Sequence, residues 1–358
     1  MSKPTVIYTR PAYWQRLDSD KLNLVHAPLS PGEETLIKGR KPCYENVGGV
    51  MTQAGADNLL RLFRKHKPDV FLFWCTYMDD GSEKRLNRIT QTLVECRKAS
   101  PKTVFLYGNG NQQGFPDHNI KSYMAAGIDG VLSNTRDARE ARMYRQHGVK
   151  FFDTLHTFGF NPDEHGRNAF PKTEAKWDCL FGGSQTADLK TGKAVRFYPR
   201  NPMLGGKYAN SKARLDFIRT VDERFKLVVY GKGKWPVKNH RPYAHGRAYP
   251  KALRTAKILL NMYHWDLHRY YTKRTVFSGA SGRLLICKYI PGMERDFTNG
   301  RNIVWFKTPS EGLKKIEYYL KHEWEREWVA NMQRSHFVKN HSWEARLREF
   351  EKIVGRVL

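Results

Sequence analysis

The sequence predicts two doubly wound α/β domains that follow one another along the chain. Short apolar strands alternate with amphipathic helical stretches, which is the pattern of a parallel sheet with helices on both faces. Residues 69–74 form a continuous apolar run of strand length, as expected for a strand covered on both faces. The alternation restarts after a polar stretch, and 358 residues suffice for two cores. We expect domains at 1–165 and 176–338 and a terminal helical segment at 339–358.

The first half contains the elements of one such domain. Residues 54–66 place Leu59, Leu60 and Phe63 at helical spacing, and Ser82 is a residue type that begins helices. The predicted strands span 6–9, 22–27, 69–74, 103–107 and 130–133, and the predicted helices span 54–66, 82–98 and 136–147.

The second half repeats the alternation after the segment 161–176, whose Pro, Gly and charged residues are typical of a linker. A helix is expected after Thr308, because Pro309 suits the first helical position and Glu311 stands in capping-box register. The predicted strands span 177–181, 227–230, 258–262, 284–287 and 303–306, and further helices begin near Pro250, near Lys273 and at Ser342.

The formal net charge of +27, from 62 Lys and Arg against 35 Asp and Glu, is the strongest global feature. Folding does not need such a charge, and its self-repulsion opposes compactness. A charge of this size is typical of proteins whose partner is a polyanion, so we expect DNA as a partner. The basic residues occur in both halves rather than in a tail, which favours a binding surface on the folded body. A generally basic surface without such a partner is the alternative.

Cysteine usage and hydropathy indicate a protein of a reducing compartment. The five cysteines are odd in number and never form a CxxC pair, which argues against a disulfide framework or structural zinc. No apolar run reaches the ~18 residues that span a membrane. The first residues lead directly into a strand without a signal-peptide pattern. We therefore expect a cytoplasmic location, in the host cytoplasm for a viral protein, and no membrane partner.

A glycine-rich turn follows the strand predicted at 177–181. In Gly182-Gly-Ser184 the glycines let a phosphate approach backbone N–H groups, while Ser184 and Lys190 add donors. Two further loops are candidates for the same ligand, Gly231-Lys-Gly-Lys234 after a strand and Gly246-Arg-Ala-Tyr-Pro250 before a helix. Turns of each kind also occur simply to redirect the chain, so the glycines alone do not decide between the two roles.

The order of elements from residue 245 onward resembles that of a known family. Lys273-Arg-Thr-Val-Phe-Ser-Gly-Ala-Ser-Gly-Arg-Leu-Leu-Ile286 places Arg274 at a helix start, followed by a small-residue break and a buried strand. A helix and strand at 250–261 precede this motif, and a strand and a capped helix follow it. This order resembles the C-terminal domain of GT-B glycosyltransferases, especially the CgeB-like branch. Together with the glycine turn, it is also similar to the T-even phage DNA β-glucosyltransferases.

The resemblance implies a GT-B enzyme, in which two Rossmann-like domains face a cleft and a C-terminal helix crosses back to the first domain. It implies a nucleotide sugar as co-substrate, of the UDP-sugar kind, and neither a metal nor another cofactor, because cationic side chains neutralise the diphosphate. The implied donor-binding residues are Gly183, Ser184, Lys190, Gly231, Arg247, Ala248, Arg274 and Phe277.

Three of the matched donor-site positions depart from the family pattern. Where the phage enzymes have two Arg after the glycine turn, this chain has Thr186 and Lys190, and Lys lacks the bidentate fork of Arg. GT-B enzymes commonly have a Glu at the position of Phe277, where it accepts hydrogen bonds from the ribose. Ribose recognition then uses other groups, or the donor differs, or the site is degraded.

The resemblance places the catalytic base after the strand predicted at 103–107, where the inverting phage enzymes have an Asp. This chain has Asn109 there by alignment, and an amide does not accept a proton at neutral pH. The base is then Asp117 or His118 from the same loop, or the enzyme retains configuration and has no dedicated base. A helix N-cap role is the alternative for Asp117 and His118, and Asp79-Asp80 is a third candidate.

His264 and His268 have the i, i+4 spacing that two metal ligands on one helix face would use. A third ligand is not evident nearby in the sequence. We therefore interpret the pair as part of a polar, aromatic loop before Arg274, and we predict no metal site.

The predicted function is the transfer of a sugar from a nucleotide-sugar donor to a hydroxymethylated base in phage-type DNA. The charge of the chain and the resemblance to the phage enzymes motivate this prediction, and such an enzyme would flip the base out of the duplex. One alternative is a CgeB-like glycosyltransferase that acts on a glycan or a protein. Another is a non-catalytic nucleic-acid-binding protein on a GT-B scaffold. Phe277 and Asn109 are consistent with this alternative, because they replace the ribose-binding Glu and the catalytic Asp of the family.

Overall fold

The computed structural model describes residues 2–9, 14, 17–29, 51–74, 83–109, 124–155, 159–162, 174–190, 210–244 and 248–358, without the side chains of 74, 83–87 and 109. The chain forms two compact units. The first consists of 1–157, 201–203 and 343–358, and the second of 158–200 and 204–342.

The first unit is built on a six-stranded parallel sheet. Its strand order is β2-β1-β3-β4-β5-β6, so each neighbouring pair is joined through a crossover rather than a hairpin. The elements are β1 (Thr5–Tyr8), β2 (Asn23–His26), α1 (Gln53–His66), β3 (Val70–Trp74), α2 (Glu83–Ala99), β4 (Val104–Asn109), β5 (Gly130–Ser133), α3 (Ala138–Gln146) and β6 (Phe151–Thr154).

The second unit contains another six-stranded parallel sheet, with the order β12-β11-β10-β7-β8-β9. The short strand β9 therefore forms one edge of this sheet. The elements are β7 (Trp177–Gly182), α4 (Ser211–Arg224), β8 (Leu227–Tyr230), β9 (His240–Arg241), α5 (Ala248–Leu253), β10 (Ala256–Asn261), α6 (Lys273–Ala280), β11 (Leu284–Lys288), β12 (Val304–Phe306), α7 (Pro309–Lys321) and α8 (Glu323–His341).

Helices cover both faces of the second sheet, as its alternating side chains require. One face buries Leu180 and Val228 together with residues of α5, α6 and α8. The other face buries Phe181 and Val229 together with residues of α4 and α7. Strands buried on both faces read as continuous apolar runs, which is why the sequence signals them clearly.

The terminal helix α9 (Trp343–Val357) belongs to the first unit, although it follows the second in the chain. Its residues Leu347, Phe350 and Val354 are buried against strand residues such as Val6 and Val70. The Phe350 ring also lies 5.1 Å from that of Trp14. The predicted return of the C-terminal helix to the first domain is confirmed.

The structure confirms the predicted class of two doubly wound α/β domains. Thr308 accepts a hydrogen bond from the Glu311 backbone N–H, as the predicted cap requires, although Glu311 itself accepts from the Lys307 backbone rather than from that of Thr308. The sequence-based prediction missed four elements, namely α4, α8, β6 and β9. The predicted linker 161–176 lies largely outside the described residues.

Candidate functional site

The glycine turn lies at the carboxyl end of β7, near the centre of the second sheet. The Gly183 N–H donates to the Tyr230 carbonyl at 2.8 Å, and the Gly183 carbonyl accepts from the Trp235 indole at 2.9 Å. A Cβ atom at Gly231 would lie 1.9 Å from the Gly183 carbonyl oxygen, so only glycine fits there. The turn after β7 and the loop after β8 are thus packed backbone against backbone.

Two guanidinium groups converge on Gly183. A Cβ atom at this position would lie 2.3 Å from Nη1 of Arg274 and 3.0 Å from Nη2 of Arg214. Arg274, in the first turn of α6, donates from Nη1 to the Gly182 carbonyl at 2.6 Å. Arg214, in the first turn of α4, donates to the Thr186 hydroxyl at 3.3 Å and to the Ser184 carbonyl at 3.4 Å. Two positive charges therefore meet at one glycine.

The charge of Arg214 is buried, whereas that of Arg274 is partly exposed. Arg214 is only 1% exposed, and its Nη1 donates to Nδ1 of His264 at 2.6 Å. A guanidinium has no acceptor, so the contacting nitrogen of His264 must be unprotonated. Burial, followed by the charges of Arg214 and Arg274, holds the pKa of His264 well below its ordinary value. The neutral imidazole thus fixes the position of Arg214 without adding a third charge.

The turn and Arg274 keep hydrogen-bond donors that no described residue uses. Ser184 is half-buried, and within the described part of the chain neither its backbone N–H nor its hydroxyl has a hydrogen-bond partner. Arg274 forms no ion pair with a described residue, and of its five N–H donors one contacts the Gly182 carbonyl. An arrangement of backbone, hydroxyl and guanidinium donors is suited to a phosphate group.

The remaining sequence-predicted donor-site residues that the structure describes are Lys190, Ala248 and Phe277. Lys190 is exposed, and its backbone N–H donates to Asp188. Ala248 is exposed at the first residue of α5. Phe277 lies in the core, 6% exposed, with its ring centroid 6.2 Å from that of Tyr249. Ser184, Arg274, Gly183 and Gly231 are therefore brought together, whereas Phe277 serves the packing of α6.

The candidate catalytic residues are mostly beyond what the structure describes. Asp117 and His118 lie outside the described residues, as do Arg247 and the pair Asp79-Asp80. The backbone of Asn109 ends β4, where it pairs with Ser133 of β5.

The histidine pair is not on a helix. His264 and His268 lie in the connection between β10 and α6, where Arg269 adopts a positive φ of 53°. His264 contacts Arg214. The His268 ring lies against Gly292, where a Cβ atom would be only 2.4 Å from Nε2 of His268. Among the described residues no group of three or more His, Cys, Asp or Glu side chains is placed to hold a metal ion.

Arg214 was missed by the sequence analysis, although a signal exists. Arg214, Ile218 and Val221 stand at i, i+4 and i+7, the spacing of one helix face. Since all three are buried, the arginine occupies a core-facing position of an amphipathic helix. Buried arginines are rare unless they are paired or bind a ligand, so this position in the pattern indicates a functional or structural charge.

Residues 214–352 match the family model described as glycosyl transferase-like. The matched region contains Arg214, His264 and Arg274, and it covers less than half of the chain. No curated protein sequence matches the chain.

Solved glycosyltransferase structures share the fold across the whole chain. A glycosyltransferase from Rickettsia africae has a TM-score of 0.62 at 11% identity, covering 100% of this chain and 99% of that one. HepE of Anabaena, in complex with UDP and glucose, has a TM-score of 0.58 at 7% identity, covering 99% and 100%. T4 phage BGT, in complex with UDP and Mn²⁺, has a TM-score of 0.56 at 13% identity, covering 99% of each chain.

These similarities define the class of fold. The protein has the GT-B architecture of two parallel-sheet α/β domains, as the sequence predicts. None of the described helices is long and apolar enough to cross a membrane.

Proposed function

We propose that this protein is a glycosyltransferase that takes its sugar from a nucleotide diphosphate donor. The observation that carries the proposal is the convergence of Arg274 and Arg214 on Gly183, beside the unused donors of Ser184. In this proposal the donor diphosphate contacts Ser184 and the exposed side of Arg274. The buried charge of Arg214 acts from behind the turn. Gly183, Gly231 and Lys190 complete the proposed diphosphate site, and Ala248 is proposed on the side of the base. Arg247 lies outside the described residues, and its donor-binding role rests on the resemblance alone.

This charge arrangement fits the chemistry of glycosyl transfer. The bond from the sugar to the diphosphate breaks, and negative charge accumulates on the leaving phosphate oxygens in the transition state. Fixed cations near those oxygens stabilise the transition state more than the ground state. Guanidinium groups supply that charge here, so the proposed mechanism is metal-independent. T4 phage BGT was solved in complex with both UDP and Mn²⁺, so any assay should include reactions with and without added metal.

A UDP-sugar is the proposed donor. Support comes from HepE, solved with UDP-glucose, and from T4 phage BGT, solved with UDP. The core position of Phe277 argues that this residue does not itself bind ribose. Ribose recognition in this proposal therefore uses other groups of the second unit.

The proposed acceptor is DNA that carries a hydroxymethylated base. The net charge of +27 supports a polyanionic acceptor, and the fold shared with T4 phage BGT is consistent with this class of enzyme. The base would be flipped out so that its hydroxyl reaches the donor sugar. We further propose a cytoplasmic protein that acts on intracellular DNA.

The stereochemical course depends on the loop that follows β4. Asp117 or His118 would serve as the base of an inverting reaction, since Asn109 does not accept a proton. Retention without a dedicated base is the version we favour, because Asn109 stands where inverting relatives have Asp. Asp117→Asn then leaves activity largely intact, whereas a strong loss with an inverted product would assign Asp117 as the base.

One experiment tests donor and acceptor together. The purified protein is incubated with hydroxymethylated, unmodified or single-stranded DNA and a panel of nucleotide sugars, with and without Mn²⁺. The DNA is then digested, and the masses of the nucleosides are measured by mass spectrometry. A hexose added only to the hydroxymethylated nucleoside is the expected result. Turnover of a nucleotide sugar with a glycan or protein acceptor but never with DNA would favour the CgeB-like alternative. DNA binding without turnover of any donor would favour a non-catalytic nucleic-acid binder.

A further inference from the structure

The basic charge of this protein is unevenly distributed between the two units. The second unit carries a net charge of +19 and the first unit +8. Within the second unit, residues 224–265 contain ten Arg or Lys and no Asp or Glu, although the chain-wide frequency would place about four acidic residues there. A segment without acidic residues raises the local potential far more than dispersed lysines do.

Part of this segment forms one edge of the second sheet. It runs through β8 and the edge strand β9, and it then continues through α5 to β10, which lies on the other side of β7. Six exposed cations of the segment, here called the basic edge, are Lys226, Lys232, Lys234, Lys238, Arg241 and Lys251. None of them forms an ion pair with a described residue.

Several lysines elsewhere in the same unit do have carboxylate partners. Lys212, Lys288 and Lys321, for example, each lie within 2.5 to 2.8 Å of an Asp or Glu oxygen. Within the acid-free segment itself, Arg224 and Lys257 have carboxylate partners, at 3.6 and 3.5 Å, which come from outside it. The cations of the basic edge thus have no carboxylate partner among the described residues, although Lys238 Nζ donates to the Asp222 backbone carbonyl at 3.1 Å.

Aromatic rings hold two of these cations in place. The guanidinium of Arg241 lies 5.8 Å from the ring of Trp177 and 5.9 Å from that of Tyr230, and Lys226 Nζ lies 5.4 Å from Trp177. Both rings are half-buried. Cation–π contact restricts the long side chains while leaving their N–H donors exposed. Less side-chain entropy is then lost when they bind a phosphate.

We infer that the basic edge is a surface that binds the phosphate backbone of duplex DNA, with Arg241 and Lys226 as its ordered contacts. The inference rests on the proposed function, because it names the surface by which the same protein holds a polyanionic acceptor. Backbone contacts of this kind position a duplex and carry no sequence information. The surface accordingly binds unmodified and hydroxymethylated DNA alike.

The test uses the full-length protein and a matched pair of double variants. Lys226→Gln with Arg241→Gln removes two charges from the basic edge and keeps side chains that still cover the rings. Arg219→Gln with Lys314→Gln removes two exposed charges of the same unit that lie outside the acid-free segment and have no described ion-pair partner. Binding to a short fluorescent DNA duplex is titrated with salt, and thermal unfolding confirms that each variant is folded.

The edge variant is expected to reduce the log–log salt slope of binding by about 2, since each lost phosphate contact lowers the slope by about 1. The control variant keeps the wild-type slope. An equal reduction in both variants would overturn the inference, because it would reveal only the effect of total charge. Wild-type protein that binds heparin but not duplex DNA at about 50 mM salt would also overturn it, in favour of an anionic glycan.

Hydrolysis of UDP-glucose without acceptor separates this inference from the proposed function. Both double variants should hydrolyse the donor at the wild-type rate. Suppose that the wild-type protein turns over no nucleotide sugar, while the salt slope of DNA binding falls in the edge variant alone. This result would contradict the proposed function and support the basic edge as a DNA-binding surface. Normal donor turnover together with an unchanged salt slope in the edge variant would contradict the DNA-binding surface but not the proposed function.

Discussion

Arg274 is the residue on which the proposed donor site depends most. Its guanidinium contacts the Gly182 carbonyl and lies beside Gly183, with further donors exposed. Arg274→Ala removes a charge that stabilises the leaving diphosphate, so we expect kcat/KM for transfer to fall by about 10²-fold or more. The measurement is steady-state transfer from the donor identified in the nucleotide-sugar panel.

Its neighbour Lys273 provides the control. The Lys273 ammonium lies 5.2 Å from the ring of Phe277. Lys273→Ala should therefore retain most of the activity, and Arg274→Lys should fall between the two because Lys lacks the bidentate fork. Near-normal turnover by Arg274→Ala at saturating donor would contradict the assignment.

His264 makes the stability of the second unit dependent on pH. Its folded pKa lies well below the ordinary value of 6.5, so the unfolded state binds a proton that the folded state does not. Stability is full above about pH 6.5 and falls as the pH drops below it, by up to about 1.4 kcal/mol per pH unit until the folded pKa is reached. Urea unfolding at a series of pH values measures this loss.

A glutamine at position 264 separates this residue from the other titrating groups. His264→Gln keeps an oxygen that can accept from Arg214 but does not titrate. The difference in unfolding free energy between the wild type and the variant should therefore shift in favour of the variant below pH 6.5. A difference that does not change with pH would show that His264 is not held neutral.

Phe277 tests whether the missing ribose carboxylate can be restored. The side chain is 6% exposed and packs against Tyr249 within the core. Phe277→Glu loses the aromatic packing and buries a carboxylate, so we expect a loss of about 3 kcal/mol or more in unfolding free energy. Phe277→Leu, which stays apolar, should cost less. A stable Phe277→Glu variant with tighter UDP-glucose binding would instead identify the position as part of the donor site.

The arginines show how far residue-level prediction reaches. Arg274 was predicted as a donor-site residue because it occupies a recognisable place in a linear motif, at a helix start before a small-residue break. Arg214 was not, because its contact with Ser184 joins residues 30 positions apart and its helix was not assigned. Partners such as His264, 50 positions further on, are determined by the sheet order rather than by local sequence.

At the scale of elements, helix α8 depends on one buried polar side chain. Gln333 is fully buried, accepts from the Leu285 N–H at 3.0 Å, and donates to the carbonyls of Gly279 and Arg283 at 3.2 and 3.1 Å. Gln333→Leu leaves three buried backbone groups without this partner. We expect unfolding free energy to fall by at least about 2 kcal/mol.

The matched control lies two residues away on the exposed face of the same helix. Ser335→Leu should change the stability by no more than about 0.5 kcal/mol, because Ser335 is exposed and its hydroxyl contacts only the Asn331 carbonyl of the same helix among the described residues. Urea unfolding of both variants gives the comparison. Equal stability of Gln333→Leu and the wild type would show that water or shifted backbone satisfies those groups.

The same helix explains why some elements escaped prediction. The buried positions of α8 include Arg326, Gln333 and His341, so the side that faces the core does not read as apolar. Strand β9 has only two residues, too few for any periodicity. By contrast, β3 is apolar throughout and β11 is apolar up to Lys288, and the cap at Thr308 depends on local sequence alone. Both kinds of signal can therefore be recognised in the sequence.

At the scale of the whole molecule, alternation of strands and helices was enough to predict two parallel sheets, although not their edge strands β6 and β9. A parallel sheet requires a crossover after every strand, and this requirement appears in the sequence as an alternation of apolar strand segments and amphipathic helical segments. The position of charge was less predictable. The basic residues are present in both halves of the sequence, yet the second unit carries most of the net charge, and an edge strand too short to recognise organises its exposed side.

The net charge of the whole molecule leads to a prediction about DNA binding by the wild-type protein. Each phosphate neutralised by Lys or Arg releases counterions, which gives a log–log salt slope near −0.9 per contact. A net charge of +27 on a folded body should support roughly four to eight contacts, so binding should weaken steeply with salt and depend little on base sequence. Salt titrations on duplexes of unrelated sequence, with heparin as competitor, measure both properties.

Hydroxymethylation should matter for turnover rather than for this affinity, because the hydroxyl is reached only after the base leaves the stack. Modified and unmodified duplexes should thus bind with similar affinity and salt slope, while sugar transfer occurs with the modified duplex alone. A flat salt dependence, or no binding near about 50 mM salt, would remove DNA as the acceptor. The cationic surface of +27 would then have to serve another polyanion, and the glycan or protein acceptor would become the leading alternative.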